Sequence, residues 1–488
     1  MWINNLPYYL PLAVVTPILA VLMMLCCPPK WERGLRAIAL AGFLLPALMA
    51  LLLVAYFPSY SLPDGYAYLG KVSVGLDAWG IALTFGLNGI SLPLFALASW
   101  VGLAAGLVAL QNFPEEKNLY WMLLLVMLTG LLGTFASTNL FFFFFFHEVA
   151  LIPTFIMMGR WGGHGRRSTA LEMAIYLTVG GMITLAGLIA VQQQMAVHAP
   201  SFDIRALVDA FALLPIEESV GSNIFGLLLI GFGILVSLFP FHSWAAKGYA
   251  TAPAPVAMMH AGVLKKFGLY GLIQIALPLF PQVAPQWSQW LTILALGNVL
   301  WIGWVTIAQR DLKLMLGYSS VMHMGYAFLG IAALSTVGIG GVMVLMVGHG
   351  LTVALLFFLA TEVYRRTGTC EMAECSGLFK QAPILAAFFI AATFASLGLP
   401  GFLNFWGELT IFVALWGFNK WVAALAVLGI VLSAIYGLRA VARIFYGKPM
   451  GQMLMKGDLG WATRWPAILL FIPLLGLGFY PKPLTDLI

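Results

Sequence analysis

Apolar residues run along this chain in blocks of about twenty positions, separated by short stretches that carry most of the charge. A block of that length crosses the hydrocarbon of a bilayer as one α-helix. Blocks at 7–26, 35–56, 81–110, 119–136, 138–158, 169–196, 223–246, 253–277, 288–308, 312–332, 337–364, 382–416, 421–446 and 461–480 predict an all-α integral membrane fold of about fourteen transmembrane helices. The first, from Pro7 to Cys26, has no basic segment before it and no small-residue cleavage site after it, so it reads as a retained helix.

Two blocks carry a proline near the middle, in Ser237-Leu238-Phe239-Pro240-Phe241-His242 and in Leu397-Gly398-Leu399-Pro400-Gly401. Proline lacks a backbone donor and clashes with the preceding turn, so each helix is expected to break there. Pro240 and Pro400 are 160 positions apart. Broken helices at matching points of two halves point to two inverted five-helix repeats, with unwound backbone lining a polar path. The implied organisation is 1–118 (helices 1–3), 119–277 (first repeat), 288–446 (second repeat) and 447–488 (last helix).

Composition agrees with this pattern. The 488 residues are 62% hydrophobic and 9% charged, against about 25% charged in soluble domains. Alternate loops differ in charge. One side collects Lys30, Arg33, Arg36, Lys117, Arg160, Arg166, Arg167, Lys247, Arg310, Lys313, Arg365, Arg366, Lys380, Arg443, Lys448, Lys456 and Arg464. The other holds only Lys71, Arg205, Lys420 and Lys482, together with acids such as Asp203 and Glu217. The positive-inside rule puts the basic side in the cytoplasm and both termini outside. The net charge of +6 therefore reports loop bias and calls for no nucleic acid. Arg439 lies near a helix end and is expected to snorkel to the interface.

Ionisable residues inside the apolar blocks are the candidates for chemistry, because a charge at bilayer depth needs a partner, water or neutralisation. They are Glu148, Lys265, Lys266, His323, His349 and Glu408. Desolvation works against the charged form of acids and amines alike, which draws both toward proton exchange near neutral pH. Imidazole both donates and accepts, so it suits a relay between them. Adjacent helix positions point about 100° apart, so Lys265 and Lys266 are expected to face different surroundings. His242 and His260, flanking the first break, rank lower. His147 and His164 rank lower again, and His198 reads as a loop residue. Other chemistries lack their residues. There is no GxxxxGK[ST] and no strand-turn-helix GxGxxG, so nucleotide binding is not expected. Cys26, Cys27, Cys370 and Cys375 have no CxxC spacing, and no metal, haem, flavin or cluster ligand set is visible.

These residues resemble the antiporter-like, proton-translocating membrane subunits of respiratory complex I. The resemblance rests on Phe145, His147-Glu148-Val149-Ala150-Leu151-Ile152-Pro153, on Leu238 to Trp244, on Gln309-Arg310-Asp311-Leu312-Lys313 with Tyr318-Ser319-Ser320, and on the segment around Glu408. It spans nearly the whole chain and is nearest to chain M, with Glu408 where chain N carries lysine. It implies a non-redox subunit of an NADH:quinone oxidoreductase in the bacterial cytoplasmic membrane, among lipid and between chains L and N. NADH, flavin, iron–sulfur clusters and quinone would belong to partner subunits. The implied proton path runs from Glu148 past Lys266, through His323 and His349, to Glu408, with Lys265, Lys247 and His242 as secondary candidates. One departure stands out. The family's lysine five residues before the first proline is Leu235 here, which leaves Glu148 without that counter-charge. Two other readings share the pattern: a subunit of a multisubunit cation/proton antiporter, and one of an energy-converting hydrogenase or ferredoxin-using complex.

Overall fold

The computed structural model describes residues 6–58, 65–111, 115–195, 201–214, 216–448 and 457–488; His198 and Lys456 lie outside them. Among the described residues, twelve helices are long and apolar enough to cross a membrane: Leu6–Cys26, Glu32–Ala55, Ser91–Gln111, Lys117–Ala136, Leu140–Trp161, Arg166–Met195, Glu218–Val236, Ala284–Ala308, Leu312–Ala332, Thr336–Thr367, Lys420–Phe445 and Trp461–Phe479. Two further crossings are interrupted. One is the helical run from Ala254 to Leu279, and the other is the pair Pro383–Ser396 and Leu403–Phe418, which brings the count to fourteen. The chain is a multi-pass membrane protein. Its outer faces present large apolar side chains such as Ile152, Met182, Trp301 and Val431, whereas the Thr336–Thr367 helix is buried along its apolar length.

The 81–110 block is not one helix. Ile81–Leu87 is a strand, paired antiparallel with Ala67–Leu76, and the helix starts only at Ser91. A short apolar run does not distinguish strand from helix by itself. The deciding residue is Asn88, whose side-chain oxygen accepts from the amides of Ile90 (3.1 Å) and Ser91 (2.8 Å) and so starts the helix after the strand. Gln274 ties this hairpin to the interior, accepting from Asn88 at 3.0 Å and donating to Tyr66 at 2.9 Å. A short amphipathic helix, Ile204–Leu213, also falls where the sequence reads as loop.

Both proline breaks are present, and they match in length. Residues 237–242 separate Glu218–Val236 from Ser243–Thr251, and residues 397–402 separate Pro383–Ser396 from Leu403–Phe418. Each gap is six residues, with the proline fourth. Unwinding frees backbone groups that must find partners in an apolar interior. At the first break the buried amide of Asn298 does this. Its oxygen accepts from the Phe239 amide at 2.7 Å, and its nitrogen donates to the carbonyls of Ser237 and Val321, each at 3.0 Å. Asn298 sits in one of three π-helical turns among the described residues, His260–Leu264, Leu272–Ala276 and Gly297–Ile302, that periodicity alone does not reveal.

Replacing Asn298 with leucine should strand the two backbone groups of the break, the Phe239 amide and the Ser237 carbonyl, at roughly 1–3 kcal/mol each. Asn298→Leu is expected to lower the thermal transition of the detergent-solubilised protein clearly. An unchanged transition would show that the break does not need this amide.

Candidate functional site

The interior holds a set of neighbouring ionisable side chains on four elements, the run from Ala254 to Leu279 and the helices Leu312–Ala332, Thr336–Thr367 and Leu403–Phe418. The run from Ala254 to Leu279 supplies Lys265 and Lys266, both fully buried. The π-helical turn His260–Leu264 lies just before them, with the Lys265 amide donating five residues back to His260 at 3.1 Å. Within this turn the Ala261 carbonyl accepts from the Lys266 ammonium at 2.8 Å. Lys265 points elsewhere, toward the Leu312–Ala332 helix, where it meets the Ser320 hydroxyl at 3.1 Å and carbonyl at 3.3 Å above the Tyr249 ring. The two lysines do diverge, as adjacent positions must, but both stay inside the protein.

Close helix packing brings the next group in. A Cβ on Gly262 would come within 3.1 Å of the Gly350 carbonyl, so the lysine-bearing helix and Thr336–Thr367 approach closely only because both positions are glycine. His349, beside Gly350, thereby places Nδ1 3.1 Å from the Lys266 amine. Either group can hold the proton in that contact, with the other accepting it.

His323, on Leu312–Ala332, lies with its ring centre 5.9 Å from that of His349. Its Nδ1 is 2.8 Å from the Ser319 carbonyl and its Nε2 is 2.8 Å from the Ser396 carbonyl. Carbonyl oxygens only accept. The ring therefore satisfies both contacts only while it carries two protons, and giving one up turns a lone pair toward an acceptor. Ser396 is the last residue before the second break, which is why its carbonyl is free to reach His323. A cavity of about 10 Å3, lined by Ser319, Thr393, Ser396 and Tyr436, lies beside these two serines.

Glu408 completes the row. Its carboxylate is buried, lies 3.9 Å from His323 Nε2, and has one oxygen without a hydrogen-bond partner. The break makes room for it. A Cβ on Gly398 would sit 2.2 Å from the carboxylate, and Gly398 also has a left-handed backbone with φ of +67°.

The row thus reads Lys266, His349, His323, Glu408, which reverses the expected order of the two histidines. Sequence distance carried no information on which histidine lay nearer the lysine. Glu148 is not in the row: its side chain is 36% exposed at the outer face, against Gly181, and its one ionisable contact among the described residues is His147, at 3.4 Å. Leu235 is buried against the neighbouring Gly180. His242 stacks on Phe239 in the first break, away from the row. Arg439 donates to the carbonyls of Ile307 and Gln309 at a helix end, the latter at 2.9 Å, so its charge meets backbone as well as the interface.

On the basic face, a cavity of about 1130 Å3 opens between His164, Lys247, Asp311, Lys313 and Arg365 and reaches Ala250–Pro255. Lys247 there pairs with Glu172 at 3.3 Å. Glu362, missed in the sequence, is buried in this wall with Arg366 at 2.8 Å and Arg365 at 2.9 Å. The i, i+3 and i, i+4 spacing of Glu362 with those arginines is the signal that was available.

Comparison with known proteins covers the same ground. Residues 137–433, which include both breaks and the whole row, match the family model described as "NADH:quinone oxidoreductase/Mrp antiporter, TM". NAD(P)H-quinone oxidoreductase chain 4 of Gloeobacter violaceus is 31% identical over 99% of this chain and 92% of its own length. A chain of respiratory complex I from Thermus thermophilus superposes with a TM-score of 0.87 at 30% identity, over 98% of each chain. A chain of the Mrp complex from Dietzia sp. shares the fold, with a TM-score of 0.84 at 21% identity over 99% of this chain and 95% of that one. With the family model spanning the row and relatives matching end to end, this chain belongs to the NADH:quinone oxidoreductase/Mrp antiporter family, as an antiporter-like membrane subunit of the complex I type.

Proposed function

We propose that this chain moves protons across the membrane as a non-redox subunit of an NADH:quinone oxidoreductase, along Lys266, His349, His323 and Glu408. The observation that carries the reading is that row, in which amine, imidazole, imidazole and carboxylate follow one another at 3.1, 5.9 (between ring centres) and 3.9 Å inside an apolar bundle. Each member exchanges a proton without other chemistry. Two contacts, Lys266 with His349 and His323 with Glu408, are close enough for one protonation state to act on the next. At an effective dielectric of about 20, unit charges ~6 Å apart interact by roughly 3 kcal/mol, about two pK units. A charge change at one end then travels as a series of small steps.

The vestibule on the basic face is the proposed entrance. Ala250 and Thr251 form part of its wall, while Tyr249 on the same short helix lies under Lys265. Lys265 then acts as an inner gate charge, held by Ser320 one residue from the serine that contacts His323. The two breaks, equal in length and proline position, support inverted repeats over 119–277 and 288–446. With the basic face in the cytoplasm of a bacterial cell, both termini lie outside. The driving energy comes from redox chemistry in partner subunits, which hold the NADH, flavin, cluster and quinone sites. Chains L and N are the proposed neighbours in the membrane arm.

Glu408→Gln keeps the volume and removes the exchangeable proton. In the reconstituted complex it is expected to cut proton movement through this chain by roughly 10²-fold or more, the usual cost of losing an acid–base group. A wild-type proton-to-electron ratio in vesicles would contradict the assignment. Gly398→Ala should act on the same carboxylate from the other side, through steric displacement and the roughly 1–2 kcal/mol cost of a left-handed alanine. It is expected to lower the ratio while sparing Lys266 and His349. Wild-type pumping with unchanged thermal stability would show that the pocket tolerates a methyl group there.

A further inference from the structure

His323 has a side contact that the row does not use. Ser319 lies one turn before it on the Leu312–Ala332 helix, with its hydroxyl 3.5 Å from His323 Nδ1. The same hydroxyl is 2.8 Å from the hydroxyl of Tyr436, which belongs to the Lys420–Phe445 helix. Tyr436 in turn donates to the sulfur of Met322 at 3.6 Å. Both Ser319 and Tyr436 are buried. A hydroxyl inside a helix ordinarily turns to a carbonyl three or four residues back, as those of Thr129, Thr134 and Ser433 do here. Ser319 turns instead to another helix and to a histidine.

The hydrogens available to His323 give the reason. Its Nδ1 is 2.8 Å from the Ser319 carbonyl and its Nε2 is 2.8 Å from the Ser396 carbonyl. Only the imidazolium has a hydrogen for each. The neutral ring leaves a lone pair facing an acceptor in an apolar interior, where a lost partner is costly. A hydroxyl carries one hydrogen and two lone pairs, and that hydrogen rotates to suit its surroundings. With the ring charged, Nδ1–H donates to the Ser319 carbonyl, Ser319 donates to Tyr436, and Tyr436 donates to Met322. With Nδ1 bare, Tyr436 donates to Ser319, which frees the serine hydrogen to point at Nδ1. Each polar hydrogen of the group then has an acceptor in both arrangements.

We infer that Ser319 and Tyr436 form a two-hydroxyl switch that holds His323 in either protonation state. The switch rests on the proton-moving function proposed above and adds two positioning residues to it. They act on the proton through the ring: two O–H bonds rotate and none breaks. The 3.5 Å approach of the serine hydroxyl is long while the carbonyl holds Nδ1–H, and it shortens once that hydrogen has left. Other titratable groups around His323 are His349, Glu408 and Lys265 on neighbouring elements and Tyr326 on its own helix. His349 and Glu408 exchange the proton with the ring, whereas the hydroxyl pair makes the ring without it tolerable.

The test uses the intact complex in vesicles, with NADH and a water-soluble quinone, reading protons moved per electron. Ser319→Ala removes the hydrogen that a bare Nδ1 needs. It is expected to slow proton movement through this chain roughly five- to tenfold, the weight of one hydrogen bond. Tyr436→Phe keeps the ring and lets Ser319 turn back to its own helix, so it should lower the ratio by less. Because Tyr436 acts through the serine, the double variant should match Ser319→Ala. Ser319→Thr keeps the hydroxyl, and the cavity of about 10 Å3 beside Ser319 leaves room for its methyl group, so the ratio should return toward wild type. A wild-type ratio in Ser319→Ala, a double variant lower than both singles, or a threonine variant as low as alanine overturns the switch. If Ser319→Ala does not assemble, a wild-type ratio in Tyr436→Phe overturns it equally. Glu408→Gln run in parallel separates the two readings. If it lowers the ratio while the Ser319 and Tyr436 variants do not, the switch alone is wrong. If it too leaves the ratio unchanged, the proton path and the switch fall together.

Discussion

Removing an ion from water into a medium of low polarity costs several kcal/mol at least, and far more without a partner. Two adjacent lysines and a glutamate inside a membrane bundle set the constraint that the rest of this fold meets. Each is met by a specific local device. Lys266 rests on a carbonyl of a π-helical turn and on His349, Lys265 on Ser320, and Glu408 in a space kept open by Gly398. The costly backbone features and the costly side chains coincide. Unwound or π-helical segments free the polar groups that buried charges need, and the charges give those segments partners.

The two breaks solve the same backbone problem by different means. The first is closed by a neutral amide, Asn298, which satisfies the Phe239 amide and the Ser237 carbonyl, while the gap's own titratable side chain, His242, stacks on Phe239. The second holds a carboxylate and lends its last helical carbonyl, that of Ser396, to a histidine on another helix. The two breaks are thus equal in length and unequal in chemistry.

Much of this was legible in the sequence. Apolar block length gave the spans, prolines at 240 and 400 gave the breaks, and ionisable residues inside apolar blocks gave Lys266, His323, His349 and Glu408. What was not legible depends on helix neighbours rather than on helices. The order of His349 and His323 follows from the Gly262–Gly350 crossing. The outward position of Glu148 follows from which side of its helix packs, and nearly every position around that residue is apolar. Asn298, an unremarked polar residue in an apolar block, proved to be the support of the first break. The 81–87 strand was lost because an apolar run that short fits either kind of element.

The central claim is that amines, imidazoles and carboxylate form one water-linked line from Lys266 to Glu408 in the working assembly. A density map of the intact complex, at a resolution that shows ordered water, addresses this directly. The account predicts water bridging the gap between the rings of His349 and His323 and between His323 and the unpartnered oxygen of Glu408. Dry apolar side chains filling either gap, with the two ends solvated separately, would contradict it.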